Sequence, residues 1–148
     1  MAHLKDNILI DAPTEKVHSL AADPHKWSSW FVGLGEPDSV DGDGAPGTEV
    51  KHSYLMAGIH VPVTTRVTDH RAEADGSYYW KAAIGGSFEG WHTWVYRPQD
   101  KKTLVEVEMD YQVPGSVLGK VADRLFLERN QERAMRHTLE NLKELAEA

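Results

Sequence analysis

The chain has 148 residues, of which 41% are hydrophobic and 26% are charged, and its formal net charge is −7. This length and composition predict one globular domain, residues 1–148, large enough to bury its own core. The acidic balance argues against a nucleic-acid partner, because phosphate binding needs a basic stripe, and no run approaches the roughly 18 apolar residues that stable membrane insertion requires.

The first part of the chain predicts a strand followed by two short helices. Apolar residues alternate with polar ones over residues 4–10, which is the pattern of a half-buried strand. Pro13 suits a first helical turn, where its missing N–H is not needed, and Pro24 after Asp23 repeats that start signal. Residues 33–47 are rich in glycine, proline and aspartate and predict a loop.

From Thr48 onward the hydrophobic period changes to two, which predicts five successive strands. The alternating sets are Val50–Met56, Val61–Val67, Tyr78–Ala82, Phe88–Tyr96 and Val105–Tyr111. Short turns join them, so together with the first strand they predict a six-stranded antiparallel sheet. Pro62 predicts an edge position or a bulge in its strand, because proline cannot donate a ladder hydrogen bond.

A helical pattern follows Pro114 and is predicted to run unbroken to Ala148. Its apolar face consists of Val117, Val121, Met135, Leu139, Leu142 and Ala146. By their spacing, Glu128 and Glu132 fall in the middle of that face. Six strands with one apolar face need a cover, and this helix is the large one available. The order therefore predicts an α+β fold: a curved antiparallel sheet wraps around a long C-terminal helix and leaves a cavity between them.

Stretches along nearly the whole chain resemble one known family. They are Ala12-Pro13 with Val17, Ala22-Asp23-Pro24 with Trp27–Trp30, Gly44–Thr48, Tyr96-Arg97-Pro98, Tyr111–Lys120, Ala122–Leu125 and Leu139–Lys143. In these segments the chain resembles the START-like superfamily, also called SRPBCC, and its polyketide cyclase/dehydrase-like branch. The resemblance implies a helix-grip fold with a deep, mostly apolar cavity between sheet and C-terminal helix. It implies no catalytic residue, since the branch shares no catalytic motif.

Aromatic and apolar residues on the predicted inward faces, with the two helix carboxylates, form the candidate ligand-binding set. Aromatic side chains supply flat walls with polar edges, which suits a ring-shaped or lipid-like ligand. The set is Trp27, Trp30, Phe31, Tyr54, Val63, Trp80, His92, Trp94, Met109, Tyr111, Glu128, Glu132 and Met135. Ordinary core filling is the alternative for its aromatic members.

Four residues are the candidates for acid–base catalysis: Glu128, Glu132, His92 and Tyr111. Two carboxylates four residues apart between apolar walls repel each other, so one of them should hold its proton more tightly. The alternative is that both acids are solvated or paired with arginines of the same helix. His92 beside a carboxylate would suit a proton relay, and a hydrogen-bonded core histidine is the alternative.

Three functions are compatible with these patterns. The favoured one is a binding module for a small hydrophobic molecule, either lipid-like or aromatic and polyketide-like. The second is a polyketide cyclase or dehydratase that uses a pocket carboxylate as acid or base. The third is a stress-response or interaction protein whose cavity is vestigial. No phosphate loop, His-Glu-x-x-His spacing or nucleophilic serine elbow is present, so neither a cofactor nor a metal is expected.

Cellular location and assembly are also predicted from the sequence. The chain has no cysteine, and its N-terminus lacks the apolar core of a signal peptide. Both observations favour the cytoplasm. The expected partner is the small hydrophobic molecule, with no nucleic acid, and the chain is expected to be a monomer or a weak homodimer.

Overall fold

A computed structural model describes residues 1–119 and 123–148 of the chain. The strands are β1 (Ala2–Ile10), β2 (Ser39–Asp41), β3 (Glu49–Met56), β4 (Ile59–Ala72), β5 (Tyr78–Gly86), β6 (Gly90–Gln99) and β7 (Lys102–Tyr111). The helices are α1 (Thr14–Ala22), α2 (Trp27–Trp30), α3 (Gly115–Leu118) and α4 (Arg124–Glu147), with a 3-10 turn (Pro24–Lys26) ahead of α2.

All seven strands form one antiparallel sheet in the order β1-β7-β6-β5-β4-β3-β2. The meander from β3 to β7 is as predicted, and β1 completes it by pairing with β7 from Ala2 opposite Tyr111 to Ile10 opposite Thr103. The additional strand is β2, which pairs with the start of β3. Three residues inside a glycine-rich loop are too few to show a period of two, so the sequence pattern predicts six strands rather than seven.

Pro62 lies in the interior of the sheet rather than in an edge strand. It stands opposite Ser53 of β3, whereas the pairing of β4 with β5 begins one residue later, at Val63. The missing N–H therefore removes no hydrogen bond from the β4–β5 ladder. The bulge of β4 occurs between Val67 and Asp69 instead. The strand is thus not an edge strand, but because β5 ends before it reaches the proline, Pro62 pairs with β3 alone and locally occupies an edge position.

The C-terminal helical region is interrupted, which corrects the prediction of one unbroken helix. Asp123 has an extended backbone, and its carboxylate accepts hydrogen bonds from the backbone N–H groups of Leu125 (2.9 Å) and Phe126 (3.3 Å). This is an N-cap, and it starts α4 as a new helix. Val121 of the predicted face lies outside the described residues. The 24 residues of α4 span about 36 Å at ~1.5 Å per residue.

The side of α4 that packs on the sheet is apolar along most of its length. It contacts β1, α1 and α2, and its buried residues are Leu127, Met135, Thr138, Leu139, Leu142 and Ala146. At the N-terminal half the buried position is Leu127, whereas Glu128 is half-buried and Glu132 is exposed. Carboxylates at this margin keep their hydration, which full burial would remove. Within the described residues, no helix combines the length and the hydropathy needed to cross a bilayer.

Gly90 allows β6 and β7 to approach each other closely. A Cβ atom at this position would lie 2.6 Å from the Asp110 carbonyl oxygen and 3.0 Å from the Tyr111 Cα. We expect Gly90→Ala to lower the free energy of unfolding by about 1–3 kcal/mol, because backbone would have to move. Gly85→Ala in β5 is the control, since its Cβ would meet nothing within 4 Å. Urea unfolding measures both, and equal stabilities of the two variants would contradict the clash.

Candidate ligand-binding site

A small cavity lies beneath α2, against the concave face of the sheet. Its volume is about 20 Å³, which is room for about one water molecule. We call it the inner cavity; its lining residues are Ala21, Trp27, Trp30, Phe31, Leu34, His52, Tyr54, Thr65, Trp80, His92, Trp94 and Tyr96. The structure thus brings together the predicted residues Trp27, Trp30, Phe31, Tyr54, Trp80, His92 and Trp94. Aromatic side chains nearly fill the space that they surround.

Local sequence explains how α2 presents its two tryptophans to the sheet. The Asp23 carboxylate accepts a hydrogen bond from the backbone N–H of His25 at 3.0 Å, which starts the turn ahead of α2. Trp27 and Trp30 are three residues apart and therefore share one side of the helix; both are buried. The indole N–H of Trp27 donates to the carbonyl of Ala21 at 2.9 Å and fixes that ring.

The sheet positions its lining residues through side-chain alternation and strand register. In β6, His92, Trp94 and Tyr96 point to one face because they are two residues apart. The register places Trp94 opposite Trp80 and places His92 opposite Ala82. The rings of Trp80 and His92 then meet edge to face, with centroids 5.1 Å apart. The alternating strands therefore build a continuous aromatic wall under α2.

The hydrogen bonds of His92 define which ring nitrogen carries its proton. The indole N–H of Trp94 donates to His92 Nδ1 at 2.9 Å. An indole nitrogen can only donate, so Nδ1 is the acceptor and the proton of the neutral ring is on Nε2. Burial, with a smaller effect from His52, lowers the pKa of His92 from 6.5 to about 3. His92 is therefore neutral near pH 7 and presents an N–H donor.

Three buried N–H donors of the inner cavity lack an acceptor among the described residues. They are Trp30 Nε1, Trp80 Nε1 and His92 Nε2. A buried donor without a partner costs about 1–3 kcal/mol, and native proteins leave few of them unexplained. All three belong to residues that line one cavity. The site therefore offers donors, set in apolar walls, to a molecule that brings acceptors.

His52, on the opposite wall, is already satisfied. Its Nε2 lies 2.6 Å from the hydroxyl oxygen of Thr65. Burial lowers the pKa of His52 to about 4, an effect only partly opposed by the charge of Asp38. Burial also raises the pKa of Tyr54 and of Tyr96 above the ordinary value for tyrosine. The titratable groups of the inner cavity are thus uncharged at neutral pH.

A second cavity of about 20 Å³, the outer cavity, lies between the sheet and α4. Its lining residues are Leu4, Phe31, Val32, Tyr54, Leu55, Met56, Met109, Gln131, Ala134, Met135 and Thr138. It includes the predicted residues Met109 and Met135. Phe31 and Tyr54 line both cavities and separate them. The cavity predicted between sheet and C-terminal helix is therefore divided, and its donor-bearing part lies under α2 rather than α4.

The remaining predicted site residues lie apart from both linings. Glu132 is exposed, and the half-buried Glu128 accepts from the guanidinium of Arg124 at 3.3 Å. Tyr111 is buried; burial first, and then the charges of Glu128 and Glu132, raise its pKa to about 12. Val63 is buried in the sheet. The two carboxylates of α4 thus lie near Tyr111 of β7. They do not line the inner cavity.

Five lining residues of the inner cavity are absent from the set predicted from sequence: Ala21, Leu34, His52, Thr65 and Tyr96. Alternation could have found Tyr96, which lies two residues beyond Trp94. It could also have found Thr65 from the β3–β4 register, where it lies beside His52. No sequence signal marks Leu34, which reaches the site through an isolated bridge to Tyr54.

Comparison with known proteins gives one family and many similar folds. A family model described as polyketide cyclase / dehydrase and lipid transport matches residues 1–147. A search of curated protein sequences returned no match. Because the match to the family model covers nearly the whole chain, it includes every residue of both cavities.

Three solved structures illustrate the structural similarity. A STAR-related lipid transfer protein from Xanthomonas axonopodis has a TM-score of 0.80 at 11% identity, covering 97% of this chain and 85% of that one. The protein TTHA0849 from Thermus thermophilus has a TM-score of 0.75 at 19% identity, with 96% and 94% covered. A START superfamily protein from Mycobacterium smegmatis has a TM-score of 0.69 at 15% identity, with 99% and 98% covered. At these identities the similarity establishes the fold.

Proposed function

We propose that this chain, which belongs to the polyketide cyclase/dehydrase and lipid transport family, binds a small, flat and mostly apolar molecule that carries a carbonyl-type acceptor. Membership confirms the resemblance to START-like proteins that the sequence indicates, and the family and its relatives support binding of hydrophobic molecules in general. The carbonyl-type acceptor is our proposal. The observation that carries it is the set of three N–H donors, on Trp30, Trp80 and His92, that find no acceptor in residues 1–119 and 123–148.

The chemistry of the lining supports an uncharged acceptor. All three donors are neutral N–H groups, and no cation is among the residues that line the inner cavity. A carboxylate would lose its hydration there without a compensating charge, which costs several kcal/mol. A ketone or quinone oxygen loses much less and accepts up to two hydrogen bonds. Indole and phenol rings on both sides favour a planar ring system.

Binding is a better explanation of the inner cavity than acid–base catalysis. A general base needs a free lone pair, and the lone pair of His92 already accepts from Trp94. Glu128 and Glu132 lie in the N-terminal half of α4 and Tyr111 ends β7, and none of the three lines the inner cavity. The cyclase or dehydratase alternative would require these groups to move toward the ligand. We therefore assign His92 the role of a hydrogen-bond donor that orients the bound molecule.

A route of entry follows from the residues that the cavities share. A surface groove of about 380 Å³ is lined by Val32, Leu55, Gln131 and Ala134, among others, and these four also line the outer cavity. The outer cavity in turn meets the inner one at Phe31 and Tyr54. Phe31 follows the last residue of α2, and each cavity has room for about one water molecule, so binding of a ring system would require Phe31 and α2 to move away from the sheet. We propose that ligands enter past Phe31.

The test compares two ring systems that differ in one oxygen, fluorenone and fluorene. Four tryptophans line the inner cavity, so their fluorescence should be quenched on binding. We expect fluorenone to bind about tenfold more tightly than fluorene, because one satisfied donor contributes about 0.5–1.5 kcal/mol. Trp80→Phe and Trp30→Phe should each reduce that preference about two- to tenfold, since phenylalanine keeps an aromatic wall and removes the N–H.

Trp91→Phe is the matched control, because Trp91 is on the outer face of β6 and 37% exposed. Its preference for fluorenone should equal that of the parent chain. Equal affinity for the two compounds, or a preference that survives both cavity variants, would disprove recognition through these donors. Absence of binding by either compound would favour the vestigial-cavity alternative. Native mass spectrometry in the same buffers tests the prediction of a monomer or weak homodimer, whereas the cytoplasmic location stays a prediction.

A further inference from the structure

Two histidines that are far apart in the sequence, one in α1 and one in β4, face each other outside the inner cavity. His18 Nε2 and His70 Nε2 are 2.7 Å apart. His18 belongs to α1 and His70 to β4. The imidazole of His18 also stacks on the ring of Tyr78, with centroids 3.9 Å apart and an interplanar angle of 7°. Stacking holds the first imidazole in place, so its Nε2 atom stays directed at the second.

A backbone carbonyl sets the orientation of the second imidazole. His70 Nδ1 lies 2.7 Å from the carbonyl oxygen of Gly44. A carbonyl can only accept, so Nδ1–H is the donor and the lone pair of neutral His70 is on Nε2. This is the arrangement found around metal-bound histidines, whose second N–H donates to a carbonyl or carboxylate and fixes the tautomer. The lone pair of His70 thus points at His18.

The pair borders an open groove of about 340 Å³. Asp43 and Tyr78 also line the groove, where the Asp43 carboxylate accepts a hydrogen bond from the backbone N–H of Ala45 at 3.2 Å. Arg71 is in the lining as well, but its guanidinium is held by Glu73 at 2.8 Å.

We propose that His18 and His70 bind a first-row transition-metal cation, Zn²⁺ or Cu²⁺, through their Nε2 atoms. Imidazole nitrogen suits both ions. Bonds of about 2.0–2.1 Å at a tetrahedral angle place two ligand nitrogens roughly 3.3 Å apart. The present 2.7 Å separation therefore has to widen by about 0.6 Å. His18 would shift its proton to Nδ1, and water would complete the coordination.

Such an ion would connect three elements of the fold. His18 anchors α1, His70 anchors β4, and the carbonyl of Gly44 anchors the loop between β2 and β3. That loop packs against the 3-10 turn, since a Cβ on Gly44 would lie 3.2 Å from the Ala22 carbonyl oxygen and 3.9 Å from the Pro24 Cδ. Metal binding would thus stabilise the native state by mass action. It is independent of the ligand proposed above.

The experiment is isothermal titration of the chain, without a polyhistidine tag, with ZnCl₂. All variants carry His3→Gln, because His3 with Glu108 and Asp110 forms a separate cluster of possible ligands on the outer face of the sheet. We expect one equivalent of Zn²⁺ to bind. His18→Gln and His70→Gln should each weaken that binding at least about tenfold, since loss of an outer-sphere partner alone already costs roughly 10- to 100-fold.

His60→Gln is the matched control, because His60 is an exposed histidine of β4; its affinity should be unchanged. The imidazole ¹⁵N resonances can also be followed in the chain that keeps His18 and His70. Zn²⁺ should shift the resonances of these two histidines. Zinc affinity that survives both substitutions, or zinc that leaves both sets of resonances in place, would overturn the proposal. The two histidines would then form a hydrogen-bonded pair and no metal site.

Discussion

Leu139→Ala is expected to lower the free energy of unfolding by about 2–5 kcal/mol, the range found for leucines whose removal leaves a cavity. Leu139 is fully buried at the centre of α4, where the helix packs across the sheet. Total stabilities of domains this size are about 5–15 kcal/mol, so one substitution would remove a large share. Alanine keeps the helix propensity of leucine. The loss therefore measures packing of α4 and not the formation of the helix.

Leu145→Ala is the matched control in the same helix, because Leu145 is 41% exposed. Its expected cost is within about 0.5 kcal/mol. Urea unfolding followed by circular dichroism gives both values, with the slope of the transition showing whether each variant unfolds in one step. A Leu139→Ala variant that unfolds at the same urea concentration as Leu145→Ala would show that α4 does not cover the core.

Local patterns in the sequence predicted most of the sheet, and the failures have identifiable causes. A strand with one buried face repeats every two residues, so β3 to β7 and their inward aromatics could be read directly. At α4 the helical period continues through Asp123, because a cap interrupts the backbone without disturbing the spacing of apolar residues. Spacing within α4 also placed Glu128 and Glu132 on the apolar face, although Glu128 is half-buried and Glu132 is exposed, because spacing alone does not show which part of a helix face is covered.

Features that depend on partners from distant parts of the chain could not be predicted. The indole N–H of Trp27 has an acceptor, whereas that of Trp30 has none within the part of the chain that the structure describes, although the two residues occupy equivalent positions three apart in α2. Only the packed structure decides which donor meets a carbonyl. The same holds for His18 and His70, 52 residues apart, since motif spacings detect metal ligands only when they are close in sequence.

Acidification below pH 6.5 is expected to destabilise the protein through its buried neutral histidines. The pKa values of His52 and His92 are lowered to about 4 and about 3, whereas in the unfolded chain both return to about 6.5. At pH values between the folded and unfolded pKa values, the two histidines bind protons in the unfolded chain and stay neutral in the folded chain. The contribution of these neutral histidines to stability is therefore fully present above pH 6.5. Below that pH the free energy of unfolding falls, by up to about 1.4 kcal/mol per pH unit for each histidine.

Urea unfolding at pH 7.0, 6.0 and 5.0 measures this slope, and variants separate the histidines from the carboxylates. His92→Gln should be less stable at pH 7, because the Trp94 donor is disturbed, yet its stability should fall less steeply, by about 1.4 kcal/mol per pH unit. His60→Gln is the control at an exposed histidine, and it should keep the parent slope because it leaves His52 and His92 in place. Parallel curves of stability against pH for His92→Gln and the parent would mean that His92 takes up a proton in the folded chain. A protonated His92 would no longer have the lone pair that accepts from Trp94.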